Sequence, residues 1–398
     1  MAKSPVVSLV LLLLPLILFG PMGIDIYLPA MPQMARSLSV SAADIQLSLS
    51  VFMLAVGLGQ LVFGPLVDNR GRRPVALCAI GLFFAGALVA SLAHNLPLLL
   101  LGRLIQGLGA CGTSVVAFAV VRDRLNAADS ARAYSYLNGA LCLAPALAPV
   151  LGAWLTLRFG WQANFVFLAL FAALALVLVM IRLPETRPTQ TRHQPLLSPR
   201  AYLAVWQHGA FRVYVMTCIA AMGGILTYVT FAPMILMEQV GLNEAQFALA
   251  FSANALVVMT ASFSAPRLSR RLGRHRVVSG GAFCLLAGGT GMMLWMQSAP
   301  GLWAFMLPVA LCSVGFSLVL GAAAASAMAP FADRAGRAAA LLGCLQMAGA
   351  ATAAYLASQL PLPAGEACAL TIVVLALLAL LALTRLPREQ RVLADADA

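Results

Sequence analysis

Charge is scarce in this sequence. Only 10% of its 398 residues are Asp, Glu, Lys or Arg, 62% are hydrophobic, and the mean hydropathy is +0.93. That balance excludes an ordinary soluble domain. Long polar stretches are missing too, so the connections are too short to build a sizeable ectodomain. The eight cysteines, Cys78, Cys111, Cys142, Cys218, Cys284, Cys312, Cys344 and Cys368, include no C-x-x-C pair and read as small packing residues. The four histidines, His94, His193, His208 and His275, fall at or near helix ends, with no H-E-x-x-H and no G-x-S-x-G. A nucleophile with its base, or clustered metal ligands, are therefore lacking, which argues against an enzyme. No glycine-rich phosphate loop followed by Lys-Ser/Thr is present either, so ATP coupling is unsupported. No catalytic residue, metal or organic cofactor is expected.

What the chain has in abundance is apolar sequence. A spanning helix takes about 20 apolar residues at 1.5 Å each. Twelve such segments are found, near 6–28, 45–67, 75–95, 98–121, 133–157, 163–183, 213–237, 245–268, 277–296, 302–329, 338–360 and 367–386. The N-terminal run is read as the first of them rather than as a signal peptide, because no small-x-small cleavage site precedes Asp25. The fold class that follows is an all-α membrane protein with twelve transmembrane helices. Its expected divisions are a six-helix bundle over 1–183, a linker over 184–209, a second six-helix bundle over 210–387 and a tail over 388–398. In the linker, Ser198-Pro199 has the residue types that start a short surface helix reaching Trp206.

The net charge of +12 is explained by where the basic residues fall. Threading twelve spans puts 22 of the 25 Lys and Arg on one side; the exceptions are Arg36, Arg158 and Arg103. By the positive-inside rule both termini are cytoplasmic and nucleic acid is not a partner. The expected partners are a lipid bilayer and a small-molecule substrate, and the chain is expected to be a monomer.

Two charges lie deep in apolar runs: Asp25 in Gly23-Ile24-Asp25-Ile26-Tyr27-Leu28-Pro29, and Arg103 after Leu98-Leu99-Leu100-Leu101-Gly102. A carboxylate near mid-bilayer costs roughly 2.5–3.5 kcal/mol and usually faces a water-filled path or a partner charge. Counted inward from Pro97 and Pro29, Arg103 lies about 9 Å deep and Asp25 about 6 Å deep, so the two are expected to meet. The alternatives are a helix-end acid at the membrane surface and an arginine that snorkels.

The loop after the second span reads Gly64-Pro65-Leu66-Val67-Asp68-Asn69-Arg70-Gly71-Arg72-Arg73-Pro74. Gly71 can supply the positive φ of a tight turn, and the charges can pair or cap helix ends. The whole string resembles the loop-2/3 motif of the major facilitator superfamily, G-x-L-x-D-x-x-G-R-R/K-x. Gly23 to Pro29 resembles the first-helix G-x-D-x-Y-L-P of its Bcr/CflA drug exporters, and Leu183-Pro184-Glu185-Thr186 resembles that subgroup's end to the sixth helix. In the fifth span, Gly139 to Gly152, with Pro145 and Pro149 between them, is similar to its antiporter motif. The resemblance implies a fold of two pseudo-symmetric halves and proton-coupled efflux of small, mainly lipophilic drugs such as amphenicol-like compounds, with protons as the coupling ion. A transporter of a physiological metabolite, such as a nucleoside, sugar or amino-acid derivative, is the alternative.

Residue by residue, the resemblance implies that Asp25 and Arg103 serve proton coupling. It implies a latch made of Gly64, Asp68, Gly71, Arg72 and Arg73, with Asp123 accepting Arg72 or Arg73 and Asp68 capping the eleventh span near Arg337 and Ala338. It places Asn138 and Leu141 on the substrate cavity, where Tyr27, Cys142, Tyr228, Asn254 and Gln346 are also expected; the polar residues of the second half are equally read as helix-packing groups. Gly273-Arg274 follows Gly71-Arg72 by 202 residues, which supports duplication, but Arg270 stands where Asp68 would recur, so the latch is expected in the first half alone.

Overall fold

The computed structural model describes residues 5–188, 199–299 and 301–386. The expected tail over 388–398 and residues 189–198 of the expected linker, Ser198 among them, lie outside them. Two compact units are formed, Met1–Leu197 and Ser198–Ala398. The first contains α1 (Pro5–Asp25), a 3-10 turn (Leu28–Ala30), α2 (Met31–Leu38), α3 (Ala42–Arg70), α4 (Arg72–Ser91), α5 (Leu96–Arg124), α6 (Ala127–Phe159) and α7 (Gln162–Arg182). The second contains α8 (Pro199–Trp206), α9 (Gly209–Pro233), a π turn (Met234–Gln239), α10 (Glu244–Leu272), α11 (Arg274–Ser298), α12 (Leu302–Met328), a 3-10 segment (Ala329–Arg334), α13 (Ala335–Ser358) and α14 (Ala364–Thr384). Among the described residues no strand is formed, and twelve helices are long and apolar enough to cross a membrane.

An apolar span satisfies its backbone internally, which is why helices carry the whole fold. The polar punctuation does the rest. Ser41 and Asp44, whose S-x-x-D spacing is a capping-box pattern, make the reciprocal box at the start of α3, and Asn243 and Gln246 make the same box 202 residues on, at the start of α10. Gly71 and Gly273 end α3 and α10 with φ of +96° and +88°, a conformation that glycine adopts without a Cβ penalty. The two units thus repeat their caps and their turns as well as their spans.

One boundary differs from expectation. The first span was expected to end near residue 28, at Pro29. The chain instead continues as a helical path to Leu38. Pro29 and Pro32 stand in the first turns of the 3-10 segment and of α2, where a missing N–H costs nothing, so they restart the helix rather than stop it. The break this leaves, over Ile26–Tyr27 directly after Asp25, is the feature on which the site is built.

Candidate functional site

Asp25 is the last residue of α1 and is 4% exposed. Among the described residues its carboxyl forms no hydrogen bond and no ion pair. It also lies at the carbonyl end of its helix, where the helix dipole gives a negative charge no support.

Arg103, on α5, is fully buried and does not pair with Asp25 as expected. Its Nη2 donates to the Gly23 carbonyl (2.8 Å) and its Nη1 to Gln106 Oε1 (2.7 Å). The guanidinium lies over the rings of Phe52 (4.2 Å) and Tyr27 (4.6 Å), distances at which cation–π attraction operates. The physical reason for the correction is the helix break. Carbonyls in the last turn of a helix lose their own partners, and an unpaired buried carbonyl costs about 1–3 kcal/mol. Arg103 caps the turn below Asp25 from a neighbouring helix, leaving the acid uncompensated. Nor does Arg103 snorkel. We expect Arg103→Lys, which keeps the charge but loses the planar two-point fork, to lower stability by about 2 kcal/mol; a variant with wild-type thermal unfolding in detergent would show that the charge alone matters.

Tyr27 was expected on the substrate cavity. Its ring is fully buried instead, 5.5 Å from that of Phe165, with its hydroxyl 3.1 Å from Ser48 Oγ, so it packs the break rather than lining open space. The helix on the other side of the break is α6. A Cβ on Gly152 would fall on the Ile26 carbonyl oxygen, so this glycine is what lets α6 lie against the unwound turn. Thr156 Oγ1 donates to the Gly152 carbonyl (2.7 Å) and accepts from Asn164 Nδ2 of α7 (2.8 Å). Gly139, grouped with Gly152 by resemblance, has no atom within 4 Å of a built Cβ. Pro149 is buried and Pro145 half-buried; Asn138 is exposed on α6, and Leu141 and Cys142 are half-buried.

At the arginine-rich end of the same unit, Arg72 is 1% exposed. Its Nε donates to Asp123 Oδ2 (2.6 Å) and its Nη2 to Asp123 Oδ1 (3.4 Å), and Asp68 Oδ1 lies 3.3 Å from Nη2. Of the two arginines offered for Asp123, the structure uses Arg72. Arg73 is turned away, its Nη2 donating to the Met180 carbonyl (2.9 Å). Gly64 has open space around it. Gly71 is doubly constrained, by its φ and by the Glu185 carboxylate lying against its Cα. Glu185 was not among the expected site residues. Burial pushes its carboxyl up, but backbone N–H groups of Arg72, Arg187, Arg73 and Thr186 together hold it below the ordinary value of 4.5. A depressed carboxyl contributes fully above its ordinary value and loses that contribution only as pH falls through the lowered one, so these bonds persist throughout the neutral range.

In the second unit, Tyr228 is buried and stacks on Phe251 (5.6 Å, 15° between planes) and near Phe305 (6.0 Å). Gly86 lies against Gln106 N and Gly102 O of α5 as Gly288 lies against Cys312 N and Pro308 O of α12, which puts Val309 at the place of Arg103. The second unit therefore carries a buried apolar side chain at the place of the guanidinium, with a ring cluster of its own around Tyr228. Asn254 Oδ1 accepts from Ser313 Oγ of α12 (2.9 Å), and Gln346 is buried at 8% exposure. Among the described residues the buried charged side chains are Asp25, Arg72, Arg103 and Asp123, all in the first unit. No group of three or more His, Cys, Asp or Glu is placed to hold a metal ion among the described residues.

The sequence profile of the Major Facilitator Superfamily matches residues 13–354 and 213–396. The chain belongs to that superfamily. It is 32% identical over 377 residues to the multidrug resistance protein MdtL of Klebsiella pneumoniae subsp. pneumoniae, covering 91% of this chain and 93% of the relative. With the Escherichia coli K12 (DH10B) protein of the same name it shares 35% identity over 344 residues, 86% of each. Among solved structures, a D-xylose-proton symporter superposes with a TM-score of 0.75 at 16% identity, covering 96% of this chain and 97% of that one. The human organic anion transporter MFSD10 (TETRAN) gives 0.65 at 20% identity, over 96% and 100%. At such identities these likenesses show the fold alone. This superfamily member is a multi-pass membrane transporter, not an enzyme.

Proposed function

We propose that the protein expels small, mainly lipophilic compounds, amphenicol-like drugs among them, in exchange for protons by alternating access. The observation that carries this reading is Asp25: a carboxyl buried in a spanning helix with no partner, on a break that Arg103 and Gly152 hold open. A buried acid of this kind marks an ion pathway rather than a packing position. Relatives named as multidrug resistance proteins, matched over most of the chain, support the cargo class. No cofactor beyond the coupling proton is required; moving a charge across the membrane supplies about 2.3 kcal/mol per 100 mV. The reading places the chain in a bacterial inner membrane as a monomer, with both termini in the cytoplasm.

The test is reconstitution in liposomes with an imposed pH gradient and a pH-sensitive dye, against a panel led by chloramphenicol and including sugars, nucleosides and amino acids. Chloramphenicol or another lipophilic compound is expected to discharge the gradient in a protein-dependent way. Discharge by the metabolites alone, or drug movement indifferent to the gradient, would overturn the proposal.

A further inference from the structure

The start of α4 poses a local problem that its own turn does not solve. The first amides of a helix have no acceptor within it, and Gly71, which precedes Arg72, has no side chain to offer. The acceptors come from 113 residues further on: Glu185 Oε1 takes the Arg72 N–H (2.9 Å) and Oε2 takes the Arg73 N–H (3.1 Å). Oε1 also accepts from the backbone of Thr186 and Arg187 (2.8 Å each), so the carboxylate gathers its own segment onto the turn. Further bonds fasten the same contact. Arg187 Nη1 donates to the Asn69 carbonyl (2.8 Å), and Thr186 Oγ1 donates to Asp123 Oδ2 (3.4 Å).

Asp123 and Arg72 are the two members of the buried ion pair. We propose that Glu185 and Thr186 are positioning residues of that pair, Glu185 setting the Arg72 backbone and Thr186 steadying the Asp123 carboxylate. The inference rests on the reading of Arg72 and Asp123 as a latch. Its consequence is that the chain leaving α7 is a working part of the latch. The pair cannot separate by moving Arg72 alone without stripping the α4 amides of their acceptor. A carboxylate serves better here than a carboxamide, because both its oxygens accept and neither position donates.

A bare helix cap has the same bonds but no coupling to Asp123, and amide exchange separates the two. The full chain in lipid nanodiscs is compared with Glu185→Gln, Asp123→Asn and the double variant, following peptides that cover residues 69–80. Glu185→Gln is expected to speed exchange there about tenfold, the scale of a lost cap, with the other spans unchanged. Asp123→Asn is expected to speed it too, although it touches none of those amides, and to add little once Glu185 is Gln. Glu185 lies at the exposed surface, so the variant should fold; if it does not, Thr186→Val is taken through the same cycle. Exchange at residues 69–80 unmoved by Asp123→Asn, or effects that simply multiply, would reduce Glu185 to a cap and overturn the proposal. The readout needs no cargo, so it stands apart from any failure of the export reading.

Discussion

Asp25→Asn is expected to yield a protein that folds and inserts normally yet loses proton-driven drug movement by about two orders of magnitude, the scale associated with deleting a proton-transferring group. The structure gives the reasons for both halves of that outcome. The carboxyl holds no hydrogen bond and no ion pair among the described residues, so an amide of the same shape breaks nothing. A neutral group in a spanning helix is also cheaper to bury than a charge. What the amide cannot do is take up and release a proton. The measurement is accumulation of chloramphenicol by liposomes under an imposed pH gradient, set beside drug-for-drug exchange with no gradient. Exchange should survive while gradient-driven movement disappears. Gradient-driven movement at the wild-type rate would remove Asp25 from the coupling step.

Gly152→Ala carries the largest expected structural effect. Most glycine-to-alanine changes inside a helix raise stability, since alanine is the better helix former. Here the new methyl coincides with the Ile26 carbonyl oxygen and lies 2.7 Å from its carbon, both backbone atoms that no rotamer change can move aside. Either α6 is displaced from α1 or the break itself closes. Overpacking of this kind costs about 3 kcal/mol, and the transport rate should fall with it, since the break carries Asp25. Gly139→Ala is the matched control on the same helix, with open space around its Cα. Thermal unfolding of the two purified variants, followed by size exclusion, should separate them clearly. Equal stability would show that the α1 turn does not need its close neighbour.

How far the sequence foretells this molecule depends on the range of the interaction. Spans were legible because each is a run of apolar residues of membrane length, and the capping box at Ser41 because its two partners sit three residues apart. The end of the first span was misjudged because Pro29 signals both a stop and a start, and only the following turn decides which. The pairing of Arg72 with Asp123 came into view through family resemblance, and resemblance could not choose between Arg72 and Arg73. Arg103 shows a deeper limit. Two isolated charges in a hydrophobic chain invite pairing, yet the acceptor that Arg103 takes is the Gly23 carbonyl, a backbone atom that every residue has and that becomes available only because the helix breaks there. Phe52 and Phe165 were invisible for a similar reason, as phenylalanines among many. Glu185 stands in Leu183-Pro184-Glu185-Thr186, but nothing local says that an amide it accepts from lies 113 residues earlier.

The confinement of buried charge to the first unit, with Val309 at the place of Arg103, has an electrical consequence. With Asp25, Arg72, Arg103 and Asp123 all in one unit and no buried charged side chain among the described residues of the other, the field across the membrane has buried charge to pull on in a single half. A voltage step then acts on this transporter asymmetrically, and any transient current it evokes in the absence of cargo originates in the first six spans.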